Sequence, residues 1–238
     1  MIVAMWMRRA LVTLPSDASL ADAAIEMGRR RIRHVLVCAG EGAGARLVGI
    51  LTARDIARGF PRDVNPWSPA AADTRDLPPL AEVMTRKLRT VVPETPIVEA
   101  ARLLRAHKID ALPVVRGARP VGIVTASDIC QALIEVVGAD EPGVRVTFGL
   151  GEDESALATV SALGRRFALE LASVLSMRHA EAGQGRVTRL GVVRFAGGDC
   201  EGAIDALWRT GHRVWAVERD VGEEPAAVDD PVAPETGR

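Results

Sequence analysis

Residues 48–56 read VGILTARDI and residues 121–129 read VGIVTASDI, so seven of nine positions are identical. A match of this quality at a constant offset of 73 residues indicates an internal duplication. Each copy reads as a short apolar strand that ends at a threonine, where a helix then begins. The chain is therefore predicted to contain one structural unit twice.

The sequence on the N-terminal side of these strands repeats as well. Residues 6–15 read WMRRALVTLP and residues 84–93 read MTRKLRTVVP, and an amphipathic helix pattern follows each of them. Both helix patterns end in a basic turn, and short apolar strands come next, VLVC at 35–38 and LPVV at 112–115. Each unit is thus predicted to consist of a strand, a helix, a hairpin and a second helix.

The rest of the chain divides into a linker, a different unit and a tail. The first repeat is assigned to residues 1–60, a proline-rich linker to 61–80 and the second repeat to 81–138. Residues 142–219 show the order βαββαβ, which predicts an antiparallel sheet with helices on one face and makes the chain a mixed α/β (α+β) protein. The tail, 220–238, is acidic and rich in proline and alanine, and we expect it to be disordered.

Composition argues against several classes of protein. The 238 residues include 30 basic and 31 acidic side chains, so no global field favours a nucleic acid or a membrane surface. No stretch approaches the ~20 apolar residues that span a bilayer, and the first residues do not resemble a signal peptide, so we expect a cytoplasmic protein. The three cysteines are far apart and form no CxxC pair, which predicts neither a metal site nor a disulfide.

Catalytic motifs are missing from the sequence. It contains no G-x-S-x-G elbow, no H-E-x-x-H pair and no Walker loop. The GEGAGA run at 40–45 comes close to a dinucleotide fingerprint, but it falls between two predicted strands rather than before a helix. We therefore expect a protein that is not an enzyme and has no catalytic residues.

The Thr-x-x-Asp segments, Thr52 to Asp55 and Thr125 to Asp128, have two interpretations. In one, each is a capping box, in which the threonine side chain caps a helix and the acid accepts a hydrogen bond from the threonine backbone N–H. In the other, the helix N-terminus and the threonine hydroxyl bind a phosphate while the carboxylate accepts hydrogen bonds from a ribose. The residues alone leave both interpretations open.

The duplicated unit resembles a pair of CBS domains, the motif that associates in tandem as a Bateman module. The resemblance covers residues 1–137 and rests on the Met-Thr-containing strand predicted at 83–92, the LPVV strand and the two Gly-h-h-Thr-x-x-Asp motifs. It implies that AMP, ADP or ATP binds in the cleft between the repeats, with S-adenosylmethionine and NAD ranked behind. It also implies that the threonines face phosphate, that the aspartates hold ribose, and that the base is held by Val12, Thr13, Thr90, Val91, Ala111, Leu112 and Pro113.

The two copies are not expected to bind equally. Their threonine and aspartate pairs look equivalent, but Arg33, His34 and Arg54 of the first copy align with Asp110, Ala111 and Ser127 of the second. Because cationic groups favour phosphorylated ligands, the phosphates are expected at the first repeat's residues. The prediction is one tight site and one weak or empty site.

The C-terminal unit resembles an ACT domain in its ferredoxin-like element order, although GLGEDES at 149–155 stands where ACT domains carry a Pro-Gly turn. Two CBS repeats followed by such a unit is the layout of AcuB-type acetoin-utilisation proteins. This layout implies a regulatory homodimer that acts on an unidentified protein. The alternative is a structural or dimerisation module with no physiological nucleotide.

Overall fold

The computed structural model describes residues 1–40, 42–68, 71, 74, 77–180 and 187–219. The chain divides into two compact units, Met1–Ala132 and Leu133–Arg238. The predicted disordered tail, 220–238, lies outside the described residues, as does part of the predicted linker. The mixed α/β class with a duplicated first unit is confirmed.

The first repeat is a three-stranded sheet with two helices. Its elements are β1 (Thr13–Pro15), α1 (Leu20–Arg30), β2 (His34–Ala39), β3 (Arg46–Thr52) and α2 (Ala53–Gly59). Strand β1 runs parallel to β2, and β2 is antiparallel to β3. Helix α1 begins at a capping box formed by Ser19 and Asp22, and it buries Leu20, Ala24 and Met27 against the sheet.

The second repeat follows the same plan with one strand fewer. Its elements are α3 (Leu80–Val83), α4 (Ile97–His107), β4 (Ala111–Arg116), β5 (Arg119–Thr125) and α5 (Ala126–Val136). The strand predicted at 83–92 is absent, and within that range only Thr85 and Val91 form isolated bridges. A parallel ladder would next need an N–H from residue 93, which is a proline and has none. The pairing therefore stops after one residue.

The structure also corrects the alignment of the two copies. Leu14 pairs with Val37, and Val91 pairs with Val114, so equivalent residues before the hairpin lie 77 positions apart. The alignment of 6–15 with 84–93 implies 78 and is wrong by one residue. Beyond the hairpin the offset is 73, because only the first repeat inserts the 3₁₀ turn Gly42–Gly44.

The segments that lead into the two repeats are exchanged between them. Val3 and Met7 belong to the core of the second repeat, whereas Leu80 and Met84 belong to the core of the first. Each methionine crosses a glycine of the duplicated motif. A Cβ on Gly49 would lie 2.2 Å from Met84 Sδ, and one on Gly122 would lie 2.7 Å from Met7 Sδ. Glycine recurs in both copies because this crossing leaves no room for a side chain.

The second unit has the predicted order of elements. They are β6 (Val144–Leu150), α6 (Ala156–Phe167), β7 (Glu170–Ala180), β8 (Val187–Ala196), α7 (Cys200–Arg209) and β9 (Val214–Arg219). The strands lie in the order β7-β8-β6-β9, and all neighbours are antiparallel, as in a ferredoxin-like fold. Phe148 and Phe195 are fully buried with Val160 of α6 and Leu207 of α7, which places both helices on one face.

None of the helices in the described part of the chain has the length and apolar character that a membrane span requires.

Candidate functional site

Both Thr-x-x-Asp segments form capping boxes. Thr52 N and Oγ1 donate to Asp55 Oδ2 at 2.9 and 2.7 Å, and Asp55 N donates back to Thr52 Oγ1 at 3.3 Å. Thr125 and Asp128 repeat this pattern at 2.8, 2.6 and 3.4 Å. Since each box engages one carboxylate oxygen, Oδ2, the other oxygen decides whether the aspartate is available to a ligand.

The second carboxylate oxygens differ between the copies, contrary to the expected equivalence of the two pairs. Asp128 Oδ1 accepts a hydrogen bond from Arg8 Nε at 3.1 Å, and Asp128 is buried. No partner is recorded for Asp55 Oδ1 among the described residues, and Asp55 is only half-buried. The two helix starts are therefore alike in their caps and unlike in what they offer to a ligand.

We use the term first cleft for the cavity into which the Thr52 helix start opens. It has a volume of about 360 Å³, which lies within the range of roughly 300–1,000 Å³ that small-molecule sites occupy. One wall comes from the first repeat, at the start of β2 and at the junction of β3 with α2. The other wall comes from Thr85, from residues 87–89 and from the turn that joins α4 to β4.

The charge of the first cleft is strongly asymmetric. Its lining includes six cationic side chains but only two acidic ones, Asp55 and Asp110. The cations are Arg33, Arg54, Arg58, Lys87, Arg89 and Lys108. All six are exposed, and none of them has an ion pair recorded with another described residue. Such a lining attracts a polyanion.

His34 also lines the first cleft. Burial lowers the pKa of its imidazole, and the neighbouring Arg33 lowers it further, whereas Asp110 and Asp55 act in the opposite direction. The net effect is a pKa below the ordinary value for histidine, so the ring is neutral near pH 7. The neutral ring can present a hydrogen-bond donor and an acceptor to a ligand.

The second cleft is the pseudo-symmetric counterpart, and its volume is about 160 Å³. Thr125 and Ser127 line it on one side, and Arg31 to His34 line it on the other. Arg33 and His34 therefore line both clefts, so their position in the first repeat does not assign them to one cleft. Of Arg33, His34 and Arg54, only Arg54 is confined to the first cleft, and the neutral ring of His34 corrects its prediction as a cation.

The structure gathers half of the predicted site residues around the first cleft: Arg33, His34, Thr52, Arg54, Asp55, Ala111 and Pro113. Val12 and Thr125 line the second cleft instead. Five predicted residues line neither cleft: Thr13 and Thr90, which are exposed; Val91 and Leu112, which lie in the core of the second repeat; and Asp128, which is covered by Arg8.

Sequence reasoning missed several residues of the first cleft. Arg58, Lys87, Arg89 and Lys108 were not assigned to it. Lys108 stands at the basic turn that ends α4, and the offset of 77 relates it to Arg31 in the second cleft. The offset of 77 also relates Arg89 to Val12, a predicted site residue that lines the second cleft, so the correct register was the signal that could have found Arg89.

Comparisons with known proteins agree with the duplication. The CBS domain family matches residues 3–62 and 80–135. An L-aspartate semialdehyde sulfurtransferase of Methanosarcina acetivorans is 31% identical over 52% of this chain and 22% of its own length. The chain therefore spans about a fifth of that relative.

Two solved structures are similar over the same region. A putative acetoin utilization protein (AcuB) from Vibrio cholerae is 33% identical, with 59% of this chain and 96% of that chain covered and a TM-score of 0.47. The CBS domain pair of protein MJ0100, in complex with 5′-methylthioadenosine and S-adenosyl-L-methionine, is 27% identical over 59% of this chain and 98% of that chain, also with a TM-score of 0.47. The matches at 3–62 and 80–135 identify the two repeats of this chain as a pair of CBS domains.

Proposed function

We propose that this chain is a regulatory protein that senses AMP, ADP or ATP bound in the first cleft. CBS domain pairs typically bind adenosine-containing ligands and regulate, and the first cleft is the larger of the two clefts between the repeats. The observation that carries the proposal is the Thr52 helix start. It leaves one oxygen of Asp55 without a recorded partner among the described residues, beside six cationic side chains.

Each part of a nucleotide has a matching group in the first cleft. Asp55 Oδ1 can accept hydrogen bonds from ribose hydroxyls, and a charged acceptor makes these bonds strong. Ile50, Leu88, Ala111 and Pro113 supply apolar surface for the base. The phosphates then extend toward the arginines and lysines, where charge and hydrogen-bond donors coincide.

The same cations determine the expected order of affinity among the adenosine-containing ligands. S-adenosylmethionine carries a sulfonium cation, which this lining repels, whereas each phosphate adds negative charge that it attracts. NAD adds a second nucleoside to a cavity of about 360 Å³. The expected order of affinity is ATP, ADP and AMP, followed by NAD and S-adenosylmethionine.

We assign the chain a regulatory and not a catalytic role, in the cytoplasm, where adenine nucleotides are abundant. The second unit would pass the bound state to a regulated protein and hold two chains together as a homodimer. Its ferredoxin-like sheet order is the support for an ACT-like relay. Trp208 and Met177, which are exposed apolar side chains in this unit, offer surface for dimerisation.

Amino-acid binding is not part of this proposal for the second unit. At the turn after β6, Glu154 accepts hydrogen bonds from Gly151 N at 3.0 Å and Thr159 Oγ1 at 2.6 Å. His212 Nε2 lies 2.6 Å from Glu154 Oε1 as well. Burial acts to raise the pKa of Glu154, but these hydrogen bonds outweigh it and leave the pKa below its ordinary value. The carboxylate of Glu154 in this turn thus has its hydrogen-bond partners within the chain.

Titration calorimetry of the full chain with each of the five ligands tests the proposal. We expect heat with ATP and an affinity that falls in the order given. Asp55→Asn should weaken binding, because it removes the charged ribose acceptor while an amide oxygen can still accept the capping hydrogen bonds. The melting temperature without ligand checks that the variant is folded.

The alternative, a structural or dimerisation module, predicts a stable oligomer and no heat with any adenosine-containing ligand. The capping boxes alone would then account for both Thr-x-x-Asp motifs. Absence of heat from the wild-type chain with all five ligands would overturn the nucleotide proposal in favour of this one.

A further inference from the structure

Both oxygens of the Asp128 carboxylate accept hydrogen bonds from within the chain. Its Oδ2 accepts from Thr125 N and Oγ1 at 2.8 and 2.6 Å, and its Oδ1 accepts from Arg8 Nε at 3.1 Å. Only 7% of the residue is exposed, and it does not line the second cleft. A ribose hydroxyl that takes the Arg8 position on Oδ1 must displace the guanidinium.

Arg8 occupies this position because of the exchanged lead-in segments. Its backbone forms an antiparallel bridge with Ile123, two residues before Thr125, with Arg8 N donating to Ile123 O at 2.9 Å and Ile123 N donating to Arg8 O at 3.0 Å. This pair of backbone hydrogen bonds holds the Arg8 Cα beside the helix start and directs the guanidinium to Asp128. The contact is therefore built into the backbone pairing.

The equivalent residue at the first cleft is Thr85. It forms the matching antiparallel bridge with Ile50, two residues before Thr52, and the offset of 77 relates it to Arg8. A threonine is short and uncharged, so it cannot form the ion pair that Arg8 forms. Asp55 accordingly remains part of the cleft lining, and the first cleft is about 360 Å³ against about 160 Å³ for the second.

We propose that Arg8 closes the second cleft, so that the chain binds one nucleotide, in the first cleft. Arg8 is a specificity-determining residue: it selects which of two equivalent clefts binds by taking the place that a ribose would occupy on Asp128. This inference rests on the proposed function, since it states which cleft performs it. The Arg8 side chain is 62% exposed, so its substitution leaves no cavity in the core.

A pair of reciprocal substitutions tests the proposal. Arg8→Thr gives the second cleft the residue of the first, and Thr85→Arg gives the first cleft the residue of the second. Titration calorimetry with ATP should give one nucleotide per chain for the wild type and two for Arg8→Thr. Thr85→Arg should weaken binding in the first cleft at least tenfold. Arg9→Thr, a change at the neighbouring arginine, should leave the stoichiometry at one.

The outcomes separate this inference from the proposed function. Two nucleotides per wild-type chain, one nucleotide per Arg8→Thr chain, or unweakened binding by Thr85→Arg would each overturn the inference and leave nucleotide sensing intact. No binding by the wild type and by Arg8→Thr would overturn nucleotide sensing itself. Arg8→Gln, which also removes the charge on Asp128's partner, is a second variant for opening the second cleft if Arg8→Thr does not fold.

Discussion

The two repeats share a backbone plan and differ in what they expose at the same place. In both, a strand passes under a methionine at a glycine and ends at a threonine that caps a helix. In the first repeat, the carboxylate of Asp55 lines a cationic cleft. In the second repeat, Arg8 covers the carboxylate of Asp128. The duplicated motif thus builds the frame of a site, and residues outside the motif decide whether the site is open.

The largest expected effect comes from the charges that distinguish the first cleft. Arg54→Ala combined with Arg89→Ala removes two cations that line only that cleft. Ionised hydrogen bonds are strong but these groups are solvent-screened, so we expect about tenfold weaker ATP binding per side chain, about 100-fold in all. Titration calorimetry with ATP measures the loss.

Arg31→Ala is the matched control, because Arg31 lines only the second cleft. ATP affinity should stay within about twofold of the wild type for this exposed, screened charge. If Arg31→Ala weakened ATP binding as much as the double variant, the assignment of ATP to the first cleft would be wrong.

A smaller effect is expected where each methionine crosses its glycine. Gly49→Ala sets a Cβ 2.2 Å from Met84 Sδ and 2.8 Å from its Cγ, whereas Gly122→Ala meets Met7 Sδ at 2.7 Å. Overpacking of this kind costs about 1–3 kcal/mol of the free energy of unfolding, and the flexible methionine tail relieves the milder clash more easily. Urea unfolding should show the greater loss for Gly49→Ala.

Gly28→Ala in α1 is the control for these two, since no atom lies within 4 Å of the added Cβ. It should stabilise the chain by up to about 1 kcal/mol, because alanine replaces glycine inside a helix. If Gly122→Ala proved more destabilising than Gly49→Ala, the account of the crossings would be wrong.

The smallest effect is expected at the two capping threonines, where stability and ATP binding can be measured separately. Thr52→Ala and Thr125→Ala each remove a helix cap, so each should lower the free energy of unfolding by about 1 kcal/mol. Only Thr52→Ala should also weaken ATP binding, because only its helix start opens into the first cleft beside an available aspartate. Loss of ATP affinity in Thr125→Ala at unchanged stoichiometry speaks against the assignment to the first cleft.

Local patterns were sufficient to predict much of the fold. The identity of 48–56 with 121–129 predicted the duplication, and alternation and helical periodicity predicted the βαββαβ order. The Thr-x-x-Asp spacing left a capping box as one of two interpretations, and both segments do form capping boxes. These features depend on residues that are close in sequence.

The pairing of Arg8 with Asp128 could not be read from the sequence in this way. The two residues are 120 positions apart, and they meet because the lead-in segments are exchanged between the repeats. The alignment of 6–15 with 84–93 also set Arg8 against Arg86, which made the two helix starts look alike. With the register moved by one residue, Arg8 stands against Thr85, and the difference between the clefts becomes visible.

A crystal structure of the full chain grown with ATP would show which of the two aspartates holds the ribose. We expect one nucleotide per chain, with its ribose on Asp55 and its phosphates among Arg54, Lys87 and Arg89, while Arg8 remains on Asp128. A nucleotide bound at Asp128 with Arg8 displaced, or equal occupancy of the two clefts, would contradict this expectation.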